Sequence, residues 1–270
     1  IKEYVKYRSV AFPEDGLTQY INASYVSDAI NYLVGVAQSL QMPLVINMSF
    51  GTNQGPHDGT DLLSQSINSI SENNSGVIIF KSAGNDGYDD EHVELNFENL
   101  ETKYIRVEEI TEEWENNNPK GSYSIDLWGG NLGIDSAFTL SFGVYDSFWG
   151  EYDSDIWQIT VNGSYSGSVD LIDTDTNGSD DWEVEIFSEI NPLNQRPHLR
   201  LKIETDNDDD DDNLLITITS QNTTVHAWVN SGKFISPDGY DFVTPDGFYS
   251  VTEPGNADGL ITVAAYNVTD

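Results

Sequence analysis

The feature that most constrains the fold of this chain is a change in its hydrophobic period. Residues 1–92 carry helix spacing and short apolar runs, residues 93–232 alternate apolar and polar side chains, and residues 233–270 return to loops and one apolar run. Helices repeat every 3.6 residues and half-buried strands every two. We therefore predict an α/β part with a parallel sheet, interrupted by an all-β antiparallel insertion.

The flanking segments predict alternating strands and helices. Apolar side chains recur at helix spacing from Val26 to Leu40 and again from Leu62 to Ile70, where Asp58 or Thr60 is expected to cap the second helix. The predicted strands are Tyr4–Val10, Leu44–Met48, Val77–Phe80 and, rejoining the same sheet, Leu260–Ala265. Short apolar runs between helices are typical of buried parallel strands, so an α/β unit is expected here.

The middle segment predicts strands with one wet face. The alternating stretches are Tyr123–Leu127, Phe138–Val144, Trp157–Val161, Val184–Ile186, Leu199–Ile203 and Leu214–Ile218. Gly, Asn and Asp clusters separate them, as at the turns between antiparallel strands. About eight such strands would form an antiparallel sandwich or jelly roll that folds as a separate unit.

Charge and cysteine content narrow the function classes. The chain has 46 Asp and Glu against 11 Lys and Arg, a formal net charge of −35. Such a surface repels phosphate backbones and anionic lipid, so we expect no nucleic-acid partner and no membrane insertion. The absence of cysteine removes disulfides, thiolate metal sites and thiol nucleophiles. A secreted or cell-envelope protein, of bacterial origin, fits this composition.

Three short motifs fall in a recognisable order along the predicted strands. They are Val45–Gly51, Ser82–Gly87, and Ile261–Asn267 preceded by Pro254–Asp258. As a set they resemble the subtilisin-like serine proteases, in which a strand VINMSLGG, a strand end AAGNEG and a later strand ITVGAYN occur in this order. The resemblance covers residues 1–92 and 233–270.

This resemblance implies roles for six residues. Asn85 would be the catalytic candidate, because its side-chain amide would donate to the oxyanion of the transition state. Ser49, Phe50 and Gly51 would pair with an extended substrate and form one wall of its pocket, and Ala83 and Gly84 would form the other wall. A turn residue in a Gly-flanked loop is the alternative reading of Asn85.

The motifs that carry the family's Asp, His and Ser triad (DTG, HGTHVAG and GTSMAAP) do not occur in the chain. We therefore expect a central fragment of a serine endopeptidase that acts on polypeptides, inactive by itself, with the triad outside these residues. His57 follows the first motif instead of preceding it, so it is interpreted as part of a loop with a helix cap. His92, His198 and His226 stand alone in the sequence and are expected to be structural or exposed.

One acidic loop suggests calcium. Asp173, Asp175 and Asn177 occupy positions 1, 3 and 5 of a loop with Gly178 at position 6, and Asp181 follows. Oxygen ligands at this spacing open an EF-hand-type loop, but position 12 is Val184 where a Glu is required. A structural calcium ion and a solvated acidic turn both remain open. The chemistry itself is expected to need no cofactor.

Two other functions remain open. One is a non-catalytic pseudoprotease that scaffolds another protein. The other is a carbohydrate- or protein-binding sandwich, in which Trp128, Trp149, Trp157 and Trp182 would stack on a ligand.

Overall fold

The computed structural model of the protein describes most of the chain. The described residues are 23–87, 89–109, 121–130, 137–146, 151–152, 154–172, 181–205, 212–235 and 243–265. The strand predicted at Tyr4–Val10 lies outside them. Within these ranges the chain forms two helices and fifteen strands, so it is mostly β.

The first sheet is small and parallel. Its strands are β1 (Leu44–Met48), β2 (Val77–Ser82) and β15 (Ile261–Val263), and β2 lies in the centre. Helix α1 (Ala23–Leu40) precedes β1, and α2 (Leu62–Asn73) connects β1 with β2. The predicted parallel sheet is therefore confirmed.

Both helices cover one face of this sheet. Val26, Ile30 and Val34 of α1 and Leu63, Ile67 and Ile70 of α2 form a core with Ile46, Met48 and Ile79 of the strands. Asp61 caps α2, because its side chain accepts hydrogen bonds from the backbone N–H groups of Leu63 and Ser64. The expected cap at Asp58 or Thr60 is wrong by one to three residues. Neither helix is long and apolar enough to cross a membrane.

The remaining strands form two antiparallel six-stranded sheets. Their order is β3-β13-β5-β11-β10-β9 in one sheet, and β14-β4-β12-β6-β7 with β8 beside β6 in the other. The bounds are β3 His92–Phe97, β4 Glu101–Glu109, β5 Gly121–Gly129, β6 Phe138–Asp146, β7 Glu151–Tyr152, β8 Trp157–Val161, β9 Tyr165–Ile172, β10 Asp181–Ile190, β11 Pro197–Thr205, β12 Asp212–Ser220, β13 Thr223–Asn230 and β14 Gly232–Ile235. The predicted antiparallel sandwich is confirmed.

A single core lies between these two sheets. It consists of the inward-facing side chains of alternating strands, including Tyr123, Ile125 and Leu127 of β5 and Ile216 and Ile218 of β12. Trp182 belongs to it, and Trp157 packs against it partly buried. The period-two pattern of the sequence is thus the pattern of residues that face this core.

The sandwich begins and ends at the same place. The backbone N–H of Phe234 donates to the carbonyl of Asp90 at 2.8 Å, and the N–H of Val229 donates to the carbonyl of Glu91 at 3.0 Å. The chain therefore leaves the sandwich beside the point where it entered. The last strand of the sandwich, β14, extends past the predicted boundary at residue 232.

The sandwich should fold by itself, because it has its own core and its ends are adjacent. A polypeptide of residues 90–236 is expected to give a β-type circular dichroism spectrum and one cooperative thermal transition. A gradual, non-cooperative melt would show instead that the sandwich needs the parallel sheet in order to fold.

Candidate functional site

The predicted substrate-binding segments lie side by side at one edge of the parallel sheet. Met48 at the end of β1 is in register with Lys81, next to the end of β2. Because parallel strands end at the same edge, Ser49–Gly51 and Ala83–Asn85 are neighbouring loops. Asn85 is exposed there. The carboxyl edge of such a sheet is where ligands bind in open α/β folds.

Thr252 holds these two segments together. Its backbone N–H donates to the carbonyl of Ala83 at 2.9 Å. Gly84 has a φ of +104° and packs so closely on Thr252 that a Cβ would lie 2.8 Å from its methyl group. A Cβ on Gly51 would collide with the hydroxyl of the same threonine. Both glycines are therefore required by this contact.

A buried lysine lies beneath the contact. Lys81 is fully buried, and its ammonium donates to Thr252 Oγ1 at 2.7 Å and to the carbonyl of Ser82. Burial lowers the pKa of Lys81, while the carboxylates of Asp86 and Glu253 act in the opposite direction. The sequence gives no sign of this role, because Lys81 follows the predicted strand Val77–Phe80 and its partner Thr252 is distant in the chain.

A buried carboxylate attaches the loop after β1 to the sandwich. Asp126 of β5 accepts hydrogen bonds from His198 Nε2 at 2.7 Å, from Arg200 Nε at 2.9 Å, from the Trp128 indole at 3.0 Å and from the backbone N–H of Gly55 at 2.7 Å. Burial alone would raise the pKa of Asp126, but the charges and hydrogen bonds of Arg200 and His198 outweigh it. They hold this pKa well below its usual range.

Arg196 makes a second attachment of the same loop. Its guanidinium donates to the carbonyl of Gly129 at 2.8 Å, to that of Pro56 at 3.2 Å and to Asp58 at 2.9 Å. Two of these acceptors lie in the loop and one lies in β5. The loop is therefore fixed to the sandwich at both ends of its Gly55–Asp58 turn.

His57 packs inside this attachment. Its ring stacks on Trp228 with centroids 4.1 Å apart and planes 3° apart. Its two nitrogens lie 3.0 Å and 3.1 Å from the carbonyls of Val251 and Asn53. Burial lowers the pKa of His57, and the two carbonyls offset part of the effect. His57 therefore packs between the loop and the sandwich, and Asp61 caps helix α2.

The other histidines do not stand alone. His92 is buried, its Nδ1 lies 2.8 Å from Asp246, and its Nε2 lies 3.1 Å from His226 Nδ1. Burial, followed by the proximity of His92, lowers the pKa of His226 to about 4. The sequence could not reveal this pair, because β3 and β13 are neighbours only in the folded sheet.

A cleft of about 600 Å³ lies between the loop after β1, the start of α2 and the sandwich. Phe50, Leu62 and Pro254 are apolar groups of its lining, and Trp128, His198 and Arg200 line it from the sandwich. Four acidic residues also line it: Asp61, Asp86, Glu91 and Glu253. The predicted pocket residues Phe50 and Gly51 belong to this cleft, whereas Asn85 lies beside it.

The carboxylates of the cleft are poorly compensated. Burial raises the pKa of Glu91 to about 7, with a further contribution from Asp86 and an opposing hydrogen bond from Asn53. Burial, followed by the charge of Asp61, raises the pKa of Glu253 to about 8. The pKa of Asp86 is also raised, first by burial. Burial of these acids therefore disfavours their charged forms.

No protein-family model matches the chain, and no curated protein matches it. A solved structure does. The Clostridium perfringens CspB protease has a similar fold. Its identity to this chain is 17%, the TM-score is 0.66, and the match covers 91% of this chain and 46% of that protein. The chain thus spans about half the length of this relative. At this identity the likeness shows the fold alone.

The structure brings together some of the predicted site residues and leaves others untested. Ser49, Phe50, Gly51, Ala83, Gly84 and Asn85 share one edge of the parallel sheet. The calcium prediction concerns residues outside the described ranges (Asp173, Asp175 and Asn177) and Asp181, which begins β10, so it stays a prediction. Among the described residues, no three His, Asp or Glu side chains converge as a metal site.

The tryptophans named for sugar stacking are mostly unavailable. Trp128 and Trp182 are buried, at 2% and 3% exposure. Trp128 stacks on His198 with its centroid 4.0 Å away, while Trp157 packs on the sandwich core. The prediction that Trp128, Trp157 and Trp182 form an exposed sugar-stacking surface is therefore wrong. Trp149 lies outside the described residues.

Asp126→Asn should strongly destabilise the fold, because an amide loses the ion pair with Arg200 and cannot accept from all four donors around this buried group. Breaking one partner of a buried ion pair costs roughly 3–5 kcal/mol. Urea denaturation measures this free energy of unfolding. The matched control is Asp170→Asn on the exposed strand β9, where we expect a change below about 0.5 kcal/mol. A loss of the same size in both variants would contradict the role given to Asp126.

Stability should fall as the pH rises from 6.5 to 8.5. The folded pKa of Glu253 (about 8) lies above the ordinary value of 4.5, so the folded state holds a proton that the unfolded state has lost. Deprotonation through pH 8 therefore removes stability, by about 1–2 kcal/mol over this window. His57, His92 and His226, whose pKa values are lowered, act mainly below pH 6.5.

Urea midpoints at the two pH values test this, with Glu253→Gln as the variant. Lys81, Asp58 and Asp61 also face Glu253 and are present in both proteins. The Gln variant should lose clearly less stability than the wild type, while Glu183→Gln, an exposed position on β10, should behave like the wild type. Equal pH dependence in all three proteins would refute the assignment.

Proposed function

We propose that the chain is part of a subtilisin-like serine endopeptidase, and that it contributes the oxyanion donor and the substrate-pairing segment. The observation that carries this proposal is the placement of Ser49–Gly51 beside Ala83–Asn85 at the carboxyl edge of the parallel sheet. The two motifs come from separate strands, and Phe50 and Gly51 of the first and Asp86 of the second line one cleft. The fold likeness to a protease supports the proposal at the level of architecture.

In the proposed reaction a peptide bond is hydrolysed through an acyl-enzyme. An extended substrate would pair with the backbone of Ser49–Gly51. The exposed amide of Asn85 would donate to the oxygen of the scissile carbonyl as negative charge develops on it. Because that charge exists only in the transition state, the interaction would accelerate the chemical step and contribute little to substrate binding.

The proposal assigns the nucleophile, the base and the orienting carboxylate to sequence outside these 270 residues, because their motifs are absent here. The 270-residue polypeptide would then bind peptide without cleaving it. A catalytically silent scaffold with the same fold is the competing function. Such a scaffold would have the cleft but would not hydrolyse peptide bonds.

Asn85→Ala in the full-length parent should lower kcat by ~10²–10³ and leave KM nearly unchanged, since one donor to the oxyanion is lost. Steady-state kinetics on a fluorogenic peptide measure both constants. Asn162→Ala, an exposed loop position of the sandwich, is the matched control and should retain wild-type kinetics. An unchanged kcat for Asn85→Ala would reduce Asn85 to a turn residue, and a parent without turnover would favour the scaffold.

A further inference from the structure

Glu253 is a buried acid that the described residues compensate only in part. Its exposure is 5%, and neither carboxylate oxygen has a hydrogen bond of ordinary geometry within the described residues. The backbone N–H of His57 and the side chain of Asn256 offset only part of its burial. A buried polar group without a partner costs free energy.

The cleft beside Glu253 has further groups that could bind a ligand. Glu253 lines it, and so does Asp61, whose Oδ2 is buried and likewise without a hydrogen bond among the described residues while its Oδ1 caps α2. Glu91 and Asp86 add two further carboxylates. Arg200, the cation in this lining, makes its bidentate ion pair with Asp126. The cleft therefore has an excess of acidic groups over cations.

The apolar part of the lining indicates which kind of cation would fit the cleft. Phe50, Leu62 and Pro254 would contact the aliphatic stem of a long side chain, while the acids would bind its charged end. A small hydrated ion would make no use of these apolar groups. An anion would meet four acids and one cation, Arg200, which is already paired with Asp126. Lysine and arginine side chains have both the stem and the charge.

We propose that this cleft binds a basic side chain of the polypeptide substrate, and that Glu253 is the residue that selects it. The inference rests on the proposed function, since it names the substrate class of the same site. A guanidinium or ammonium group beside Glu253 would form charge-assisted hydrogen bonds with a carboxylate whose oxygens have no hydrogen bond of ordinary geometry among the described residues. Lys81 lies beneath the neighbouring strand end and is held by Thr252 and Ser82, so it does not replace this cation.

The test compares two labelled hexapeptides that differ only at one residue, arginine or citrulline. Citrulline has nearly the shape of arginine but no charge. Fluorescence anisotropy with the 270-residue chain, in 0.15 M NaCl at pH 7.5, should give a Kd about tenfold lower for the arginine peptide. Salt at this concentration screens the general attraction of an acidic protein beyond about 8 Å.

Glu253→Gln should bring the ratio of the two Kd values close to one. Glu183→Gln removes the same charge from an exposed strand and should leave the ratio at about ten, which separates Glu253 from the net charge of the protein. Equal affinity of the wild type for both peptides would overturn the inference even if the Gln variant failed to fold. A ratio of ten retained by a folded Glu253→Gln would overturn it as well.

The peptide-binding test and the kinetic test of the proposed function can fail independently of each other. The kcat of Asn85→Ala is measured on a substrate that need not contain arginine. If that kcat falls while the two peptides bind equally, only the basic-residue inference fails. If the arginine peptide is preferred while kcat is unchanged, the cleft binds cations in a protein whose oxyanion assignment is wrong.

Discussion

The buried carboxylate of Asp126 is the interaction on which the rest of the structure depends. It joins two strands of the sandwich, through His198 and Arg200, to the loop that follows β1, through the amide of Gly55. A buried charge is expensive unless donors surround it, and here four groups donate to one carboxylate. Because Gly55 is fixed in this way, the neighbouring Phe50–Gly51 segment lies at a set distance from the sandwich. The cleft has its shape because this attachment is rigid.

Two acids of the same region show how surroundings decide what a carboxylate does. Asp126 is surrounded by cations and donors, so its pKa is low and its charge is part of the architecture. Glu253 is buried almost as deeply, faces Asp61 and Asp58, and has a raised pKa. The first is satisfied within the fold. The second is compensated only in part by the described residues, and this difference is the physical basis for proposing that it selects a ligand.

The sequence predicted those parts of the fold that depend on local period, and missed those that depend on distant partners. Strong alternation located β5, β6, β8, β10, β11 and β12. Two other strands alternate too weakly to be predicted. They are the edge strand β9, which contains Ser, Gly and Asp, and the charged strand β4. The motifs located the edge of the parallel sheet. Lys81, Thr252, Asp126 and Glu253 could not be predicted, because each acts through contacts made by residues far apart in the sequence, and burial of a charge is not visible in a local window.

The adjacent ends of the sandwich have a consequence for how the chain folds. Strands β2 and β15 are hydrogen-bonded neighbours, although residues 83–260 separate them. Closing an open loop of that length costs more than closing a short one, and the excess grows with the logarithm of loop length. Once the sandwich has formed, Asp90 and Phe234 are already in contact, and the remaining connections are short. This removes roughly 1–2 kcal/mol from the cost of adding β15. The folded sandwich therefore lowers the entropic cost of completing the sheet edge that carries Asn85.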